Sequence, residues 1–430
     1  VDGLIRAFEN HGSEKISLRE ILNPAIHLAE RGFELSHFEA NRLNAYKSFF
    51  EKNKAASKIF IRKDGKPWKK GHILIQKDLA KTLKRIARYG RDGFYSGTVA
   101  QLIVKEMKRG NGLITMEDLI RYESKYRAPV LGTYKGHDII SMGPPSSGGA
   151  LLVNMLNMLE NYPMDTLGWN SSGYIHLLTE VERRAYADRA EHMGDPDFWD
   201  VPLSMLTSKN YAKNRTKNIN LDVATPSSDI SASKNVLYET DETTHYSVVD
   251  RWGNAVSVTT TINLNYGNGC VVEGAGFFLN NEMDDFSSKP GVPNAFGLIG
   301  NEANAIEASK RPLSSMTPTI VLKGNKPFLV IGSPGGSTII TTTLQTILNV
   351  VDHNMDIKEA VCAPRFHSQW LPDVIQYEPR SLIKDLKIAL ELKGHKLVER
   401  GSYIGEANGI MILEDGYYGG GDCRGETSAI

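Results

Sequence analysis

At Thr243 the hydrophobic period of this 430-residue chain changes, and no other feature limits the fold as much. Upstream, apolar residues mostly recur at helical spacing: Leu79, Leu83 and Ile86 share one face, and Val99, Ile103 and Met107 repeat the pattern beyond the Gly97-Thr98 break. Thr115 and Asp118 form a capping-box pattern, and further helices are predicted at 150–159 and 175–190. One strand pair, 128–134 and 137–141, turns at Lys135-Gly136. Downstream the pattern breaks into short β-rich runs at 245–250, 255–261, 276–279, 319–322 and 328–331. Helices return at 339–351 and 357–362, and 382–397 reads as a βαβ-like stretch. Strand runs flanked by helices predict sheets covered by helices on their outer faces.

Composition removes several function classes. Fifty basic and fifty acidic residues cancel, leaving no net field to hold nucleic acid or an anionic membrane. The apolar stretches near 149–159 and 339–351 are interrupted by Asn, Thr or Gln and fall short of the roughly 18–20 residues a membrane helix needs. Cys270, Cys362 and Cys423 are isolated and lack any Cys-x-x-Cys spacing, so neither a disulfide framework nor structural zinc is expected. No motif calls for a cofactor. The opening Val1-Asp2-Gly3-Leu4 has neither initiator Met nor leader, which reads as a mature form or a fragment.

The change of period coincides with chemistry. A polar segment without sustained periodicity, 222–241, stops against Glu242-Thr243, as a cleavable connection or an ordinary surface loop would. A cut before Thr243 would free an amine on the residue that carries the hydroxyl, joining nucleophile and general base. The plain alternative is a Thr-Thr pair suited to a pleated sheet. Thr261, ending the neighbouring predicted strand, could hydrogen-bond the nucleophile. His245 offers a second-ranked mechanism, because residues two apart on a strand share a face and could form a hydroxyl–imidazole dyad. Gly335-Gly336 follows an apolar strand and precedes a helix, a geometry suited to an oxyanion hole, a phosphate, or a turn with no ligand. Glu282, Asp284 and Asp285 could bind calcium, act as acid and base, recognise an amine, or solvate a loop. Ser314 and Ser315 could donate to a carboxylate, so acids on one side and hydroxyls on the other describe a site for a zwitterion.

These residues lie within longer runs: Pro144-Pro145-Ser146-Ser147-Gly148-Gly149, Ala187-Asp188-Arg189, Gly194-Asp195-Pro196-Asp197-Phe198, Thr243-Thr244-His245-Tyr246-Ser247, Asn280-Asn281-Glu282-Met283-Asp284-Asp285-Phe286, 310–318, 332–337 and Ala363-Pro364-Arg365-Phe366-His367. In that order they resemble the gamma-glutamyltransferase (gamma-glutamyltranspeptidase) family of the N-terminal-nucleophile hydrolase superfamily. The resemblance implies an α+β fold, a four-layer αββα sandwich, and a precursor that cleaves itself between Glu242 and Thr243. It further implies a large-subunit part, 1–242, and a small subunit, 243–430, joined in one heterodimeric unit. Thr243 would be nucleophile and, through its new amine, base, with Thr261 hydrogen-bonded to it. Asn263, Glu282 and Asp285 would hold the glutamyl α-amine, Ser314 and Ser315 the α-carboxylate, and the amides of Gly335 and Gly336 the oxyanion. The implied substrates are glutathione and related gamma-glutamyl donors, with water or an amino-acid or peptide amine as acceptor, and the implied compartment is periplasmic or extracellular.

Within the same resemblance, 287–309, with Pro290-Gly291-Val292-Pro293 and Phe296, looks like a lid over the glutamyl pocket. An upstream segment carrying an Arg that pairs with the substrate carboxylate is expected to precede Val1 in such proteins. Loss of that charge-assisted bond would cost roughly 1.5–3 kcal/mol. The runner-up activity is a glutaryl- or cephalosporin-type acylase, against which the Glu282 and Asp285 acids argue, since a glutaryl group has no amine. An unprocessed relative that only binds a partner is the non-enzymatic alternative.

Overall fold

The computed structural model describes residues 1–230, 243–287, 289, 291–292, 294–295 and 297–429. Glu242 and the cleavage predicted there lie outside the described residues, as do Pro290, Pro293 and Phe296 of the predicted lid. The chain divides into two compact units, Val1–Tyr126 with Tyr266–Asn281, and Arg127–Asn265 with Glu282–Ile430.

The first unit is helical. Lys77–Tyr89 and Gly97–Gly110 follow the predicted apolar spacing, and the Thr115 capping box starts Met116–Arg121. Its returning segment carries the predicted strand 276–279, which does not form. Gly274 and Gly276 take φ of +81° and +80°, which breaks extended backbone, and a single bridge joins Val271 to Phe278. Phe278 instead stacks on Phe60 at 4.9 Å between ring centroids. Apolar character there reflects an anchor in an aromatic cluster rather than a strand.

The second unit is layered. A six-stranded antiparallel sheet runs Gly416–Gly421, Asn408–Leu413, Lys326–Gly332, Thr319–Lys323, His137–Ser141, Val130–Tyr134 from edge to edge. One face is packed by Gly148–Leu159, buried along its whole length, and by Thr338–Val351. Alternation along Lys326–Gly332 separates the two faces: Leu329 and Ile331 join the helical core, while Gly332 meets the hairpin Thr244–Val249/Ala255–Thr260. A Cβ on Gly332 would lie 2.3 Å from the His245 ring, so only glycine admits the hairpin this closely. Helix, sheet and second sheet are thus stacked as the period change predicts.

The predicted βαβ-like stretch is Ile375–Tyr377, Lys384–Leu392 and Leu397–Glu399, the two strands pairing in parallel as a helical crossover requires. One expectation is overturned: Cys362 and Cys423 form a disulfide, with Cα atoms 5.3 Å apart. They are 61 positions apart in sequence, and they meet because Ile357–Cys362 packs against the edge strand Gly416–Gly421. Sequence spacing carries no trace of such a pairing. Cys270 is a free thiol whose titration is pushed up to about 11 by burial and by the neighbouring Glu106 carboxylate.

Candidate active site

Thr243 stands immediately before the hairpin strand, and the Thr244–Thr260 register places it opposite Thr261. The two hydroxyls are 3.4 Å apart, and Thr261 Oγ1 also accepts from the Asn263 amide at 2.9 Å. That turn puts Asn263 at φ +70°, which Asn tolerates, and buries it.

His245 does not face the nucleophile. One ring nitrogen lies 2.8 Å from Thr259 Oγ1 and the other 3.1 Å from Ser247 Oγ, so both are occupied. Burial lowers its titration to about 4 and keeps the ring neutral. It anchors the hairpin to the larger sheet, and the dyad mechanism is not formed.

The serine pair is held from three directions. Ser314 N–H donates to Pro145 O at 2.8 Å, Ser147 N–H donates back to Ser314 O at 2.9 Å, and Ser146 Oγ donates to Met316 O at 2.6 Å. Buried Asp195 accepts the Arg311 amide at 2.9 Å. The proline-serine run and the Gly194-Asp195 run therefore serve as the frame for Ser314 and Ser315. Arg189, 4% exposed, donates from Nε to Ser147 Oγ at 2.9 Å and reaches Ser315 Oγ with Nη2 at 3.4 Å. Its run was visible in the sequence, but nothing there signalled that it would reach this site.

Glu282 and Asp285 lie on one short 3-10 turn and hydrogen-bond to each other through their side chains. Burial and then the adjacent Glu282 push the Asp285 carboxyl up to about 8, opposed by Arg189. Glu282 is also raised by burial, against hydrogen bonds from Asp285 and the Asn263 backbone. A buried acid pair of this kind retains a proton and is suited to receive a cation. Asp284 points elsewhere, accepting the Ala295 amide at 2.9 Å, and so ties down the following loop.

Gly335 has φ +138° and Gly336 +52°, and both precede Thr338–Val351. The Thr338 amide and hydroxyl each donate to Gly335 O at 2.8 Å, fixing the turn. Among the described residues neither glycine amide has an acceptor, although both are buried. Two unspent donors at the N-terminus of a helix are what an oxyanion would need.

Thr243, Thr261, Asn263, Asp285, Ser314, Ser315 and Gly336 line one small cleft together with Arg189, Leu298 and Met316. A larger cavity of about 530 Å³ also borders Thr243, but it runs along the hairpin strand and is lined by none of Glu282, Asp285, Ser314 and Ser315. No group of three or more His, Cys, Asp or Glu is arranged to hold a metal among the described residues.

Layered sheets with a threonine heading an inner strand, opposite a helix-initiating glycine pair, are the architecture of the N-terminal-nucleophile hydrolases. A solved cephalosporin acylase from Bacillus halodurans superposes with a TM-score of 0.85 at 23% identity, covering 98% of this chain and 75% of that one, which shows the shared fold. The gamma-glutamyltranspeptidase family profile matches residues 1–430, and the chain belongs to that family. It is 47% identical over 425 residues to the glutathione hydrolase proenzyme of Escherichia coli, covering 99% of this chain and 73% of that one. It is 43% identical over 436 residues to the corresponding proenzyme of Pseudomonas sp., covering 99% and 75%.

Proposed function

We propose that the protein is a gamma-glutamyl hydrolase and transpeptidase acting on glutathione and related donors, matured by cleavage between Glu242 and Thr243. The observation that carries this reading is the meeting of Thr243, Asp285 and the serine pair in one cleft, with Glu282 hydrogen-bonded to Asp285 behind it. In the mature form the Thr243 hydroxyl attacks the γ-carbonyl carbon while its α-amine takes the proton. The oxyanion is received by the Gly335 and Gly336 amides. Collapse breaks the amide bond, the leaving amine takes the proton, and a glutamyl ester remains on Thr243. Water or an acceptor amine then attacks that ester and restores the hydroxyl.

Asn263, Glu282 and Asp285 hold the donor's α-ammonium, and Ser314 and Ser315 its α-carboxylate. The acids favour this reading over an acylase, whose glutaryl group offers them no amine. The loop 287–309 serves as a lid, a role supported by Leu298 on the cleft and by the Asp284 anchor. The mature protein pairs 1–242 with 243–430. No helix among the described residues is long and apolar enough to cross a membrane, and the Cys362–Cys423 disulfide fits an oxidising periplasmic or extracellular setting.

Intact mass together with turnover of a gamma-glutamyl anilide tests the reading. Active material should resolve into two pieces divided before Thr243, and Thr243→Ala should remain one chain and lose at least about a thousandfold in kcat. Turnover by an unbroken chain would overturn it, and a stable single chain without turnover would favour a partner-binding role.

A further inference from the structure

We infer that Arg189 is the positioning residue of the donor site, orienting Ser315 toward the carboxylate and holding Asp285 ready for the ammonium. This inference rests on the functional reading above and assigns a role to a residue outside the acid and serine pairs. The geometry is specific to a guanidinium. Nε is fixed on Ser147 Oγ at 2.9 Å, Nη2 extends to Ser315 Oγ at 3.4 Å, and the side chain is almost wholly withdrawn from water. Ser147 also donates through Oγ to Ser314 O at 2.9 Å, so one hydroxyl links the arginine to the backbone of the serine pair. A lysine has no rigid fork and cannot span Ser147 and Ser315 in one plane.

The same cation lines the cleft together with Asp285. The charged groups acting on Asp285 are Glu282 and Asp284, which favour its protonated form, and Arg189, which favours its ionised form. Arg189 therefore bears on both recognition elements, on the carboxylate side through a hydroxyl and on the ammonium side through charge. A hydroxyl polarised by a guanidinium is a better donor to a carboxylate than an isolated serine.

Calorimetric binding of L-glutamate and of glutarate, which keeps both carboxylates but lacks the amine, separates the two actions. Arg189→Lys should weaken both ligands by roughly ten- to thirtyfold while leaving their ratio nearly unchanged at each pH, because the charge stays and the fork is lost. Arg189→Met should weaken both at least as much. It should also move the pH at which glutamate begins to outbind glutarate upward by about one unit, because Asp285 then holds its proton more tightly. Ser147→Ala, a milder change, should weaken both ligands a fewfold and decides the matter if the arginine variants do not fold.

Parental affinities and an unchanged pH crossover in folded Arg189→Met, or parental affinities in Ser147→Ala where the arginine variants are unfolded, would overturn the inference alone. A parent protein that binds glutamate but never cleaves the anilide would remove the functional reading and leave the role of Arg189 standing.

Discussion

Asp285 shows most directly how the site trades stability for recognition. Its carboxyl ionises near 3.8 in the unfolded chain and is pushed to about 8 in the fold, mainly by burial. A raised folded value means the native state is favoured while the group is protonated, and this contribution is lost as pH rises from about 4 through about 8. Asp285→Asn should therefore melt higher than the parent above pH 8, with the advantage shrinking toward pH 4. A difference in melting temperature that is flat across that range would contradict this. The same variant should raise KM for a gamma-glutamyl donor by roughly ten- to a hundredfold through the lost charge-assisted bond to the ammonium. His245 is the opposite case. Because Thr259 and Ser247 occupy its ring, His245→Asn should lower the melting temperature yet keep kcat within about threefold, and a hundredfold loss would revive the dyad. Thr243, the acids and the serines could be picked out from the sequence because reactive and charged residue types stand out in short runs, whereas Asn263 came only with the family resemblance. The engagement of His245 could not, since strand alternation gives its face but not its partners.

Among the elements, the turn before Thr338–Val351 carries the most consequence. A methyl on Gly335 would lie 2.5 Å from Thr338 Oγ1, and the residue holds a φ that side chains rarely adopt. Gly335→Ala should shift the turn and its amide, lowering kcat by roughly a hundred- to a thousandfold with little change in KM. Equal loss in both parameters would point to a collapsed pocket instead. The disulfide works at a distance from this chemistry. Closing 61 residues of chain is worth about 4 kcal/mol in a chain-entropy account, so reduction or Cys423→Ser should lower thermal stability markedly and leave donor KM near its parental value. Helix and strand elements were legible from period and capping, as with Thr115 and the Lys135-Gly136 turn. The strand expected at 276–279 failed because Phe278 fills an aromatic cluster just after two left-handed glycines, Gly274 and Gly276.

For the molecule as a whole, the order of strands in the six-stranded sheet matters more than its size. Val130–Tyr134 and His137–Ser141 precede Thr243, while the remaining four strands follow it, and His137–Ser141 pairs directly with Thr319–Lys323. A cut at Thr243 would therefore sever the chain without opening the sheet. Material that gives two pieces in denaturant should migrate as one species in native size-exclusion chromatography. Separation of the pieces without denaturant would show that the shared sheet does not hold them.

What the sequence determined by itself was the set of parts: the period change at Thr243, the reactive threonine, the acids, the hydroxyl pair and the double glycine. These follow from local chemistry, which a linear order of residue types preserves. Tertiary structure decided the pairings. It brought Cys362 to Cys423, carried Arg189 to Ser147 and Ser315, turned His245 away from the nucleophile, and raised Asp285 by withdrawing it from water. Each of these depends on distance and burial between residues far apart in the chain, quantities that exist only once the sheets and helices have packed.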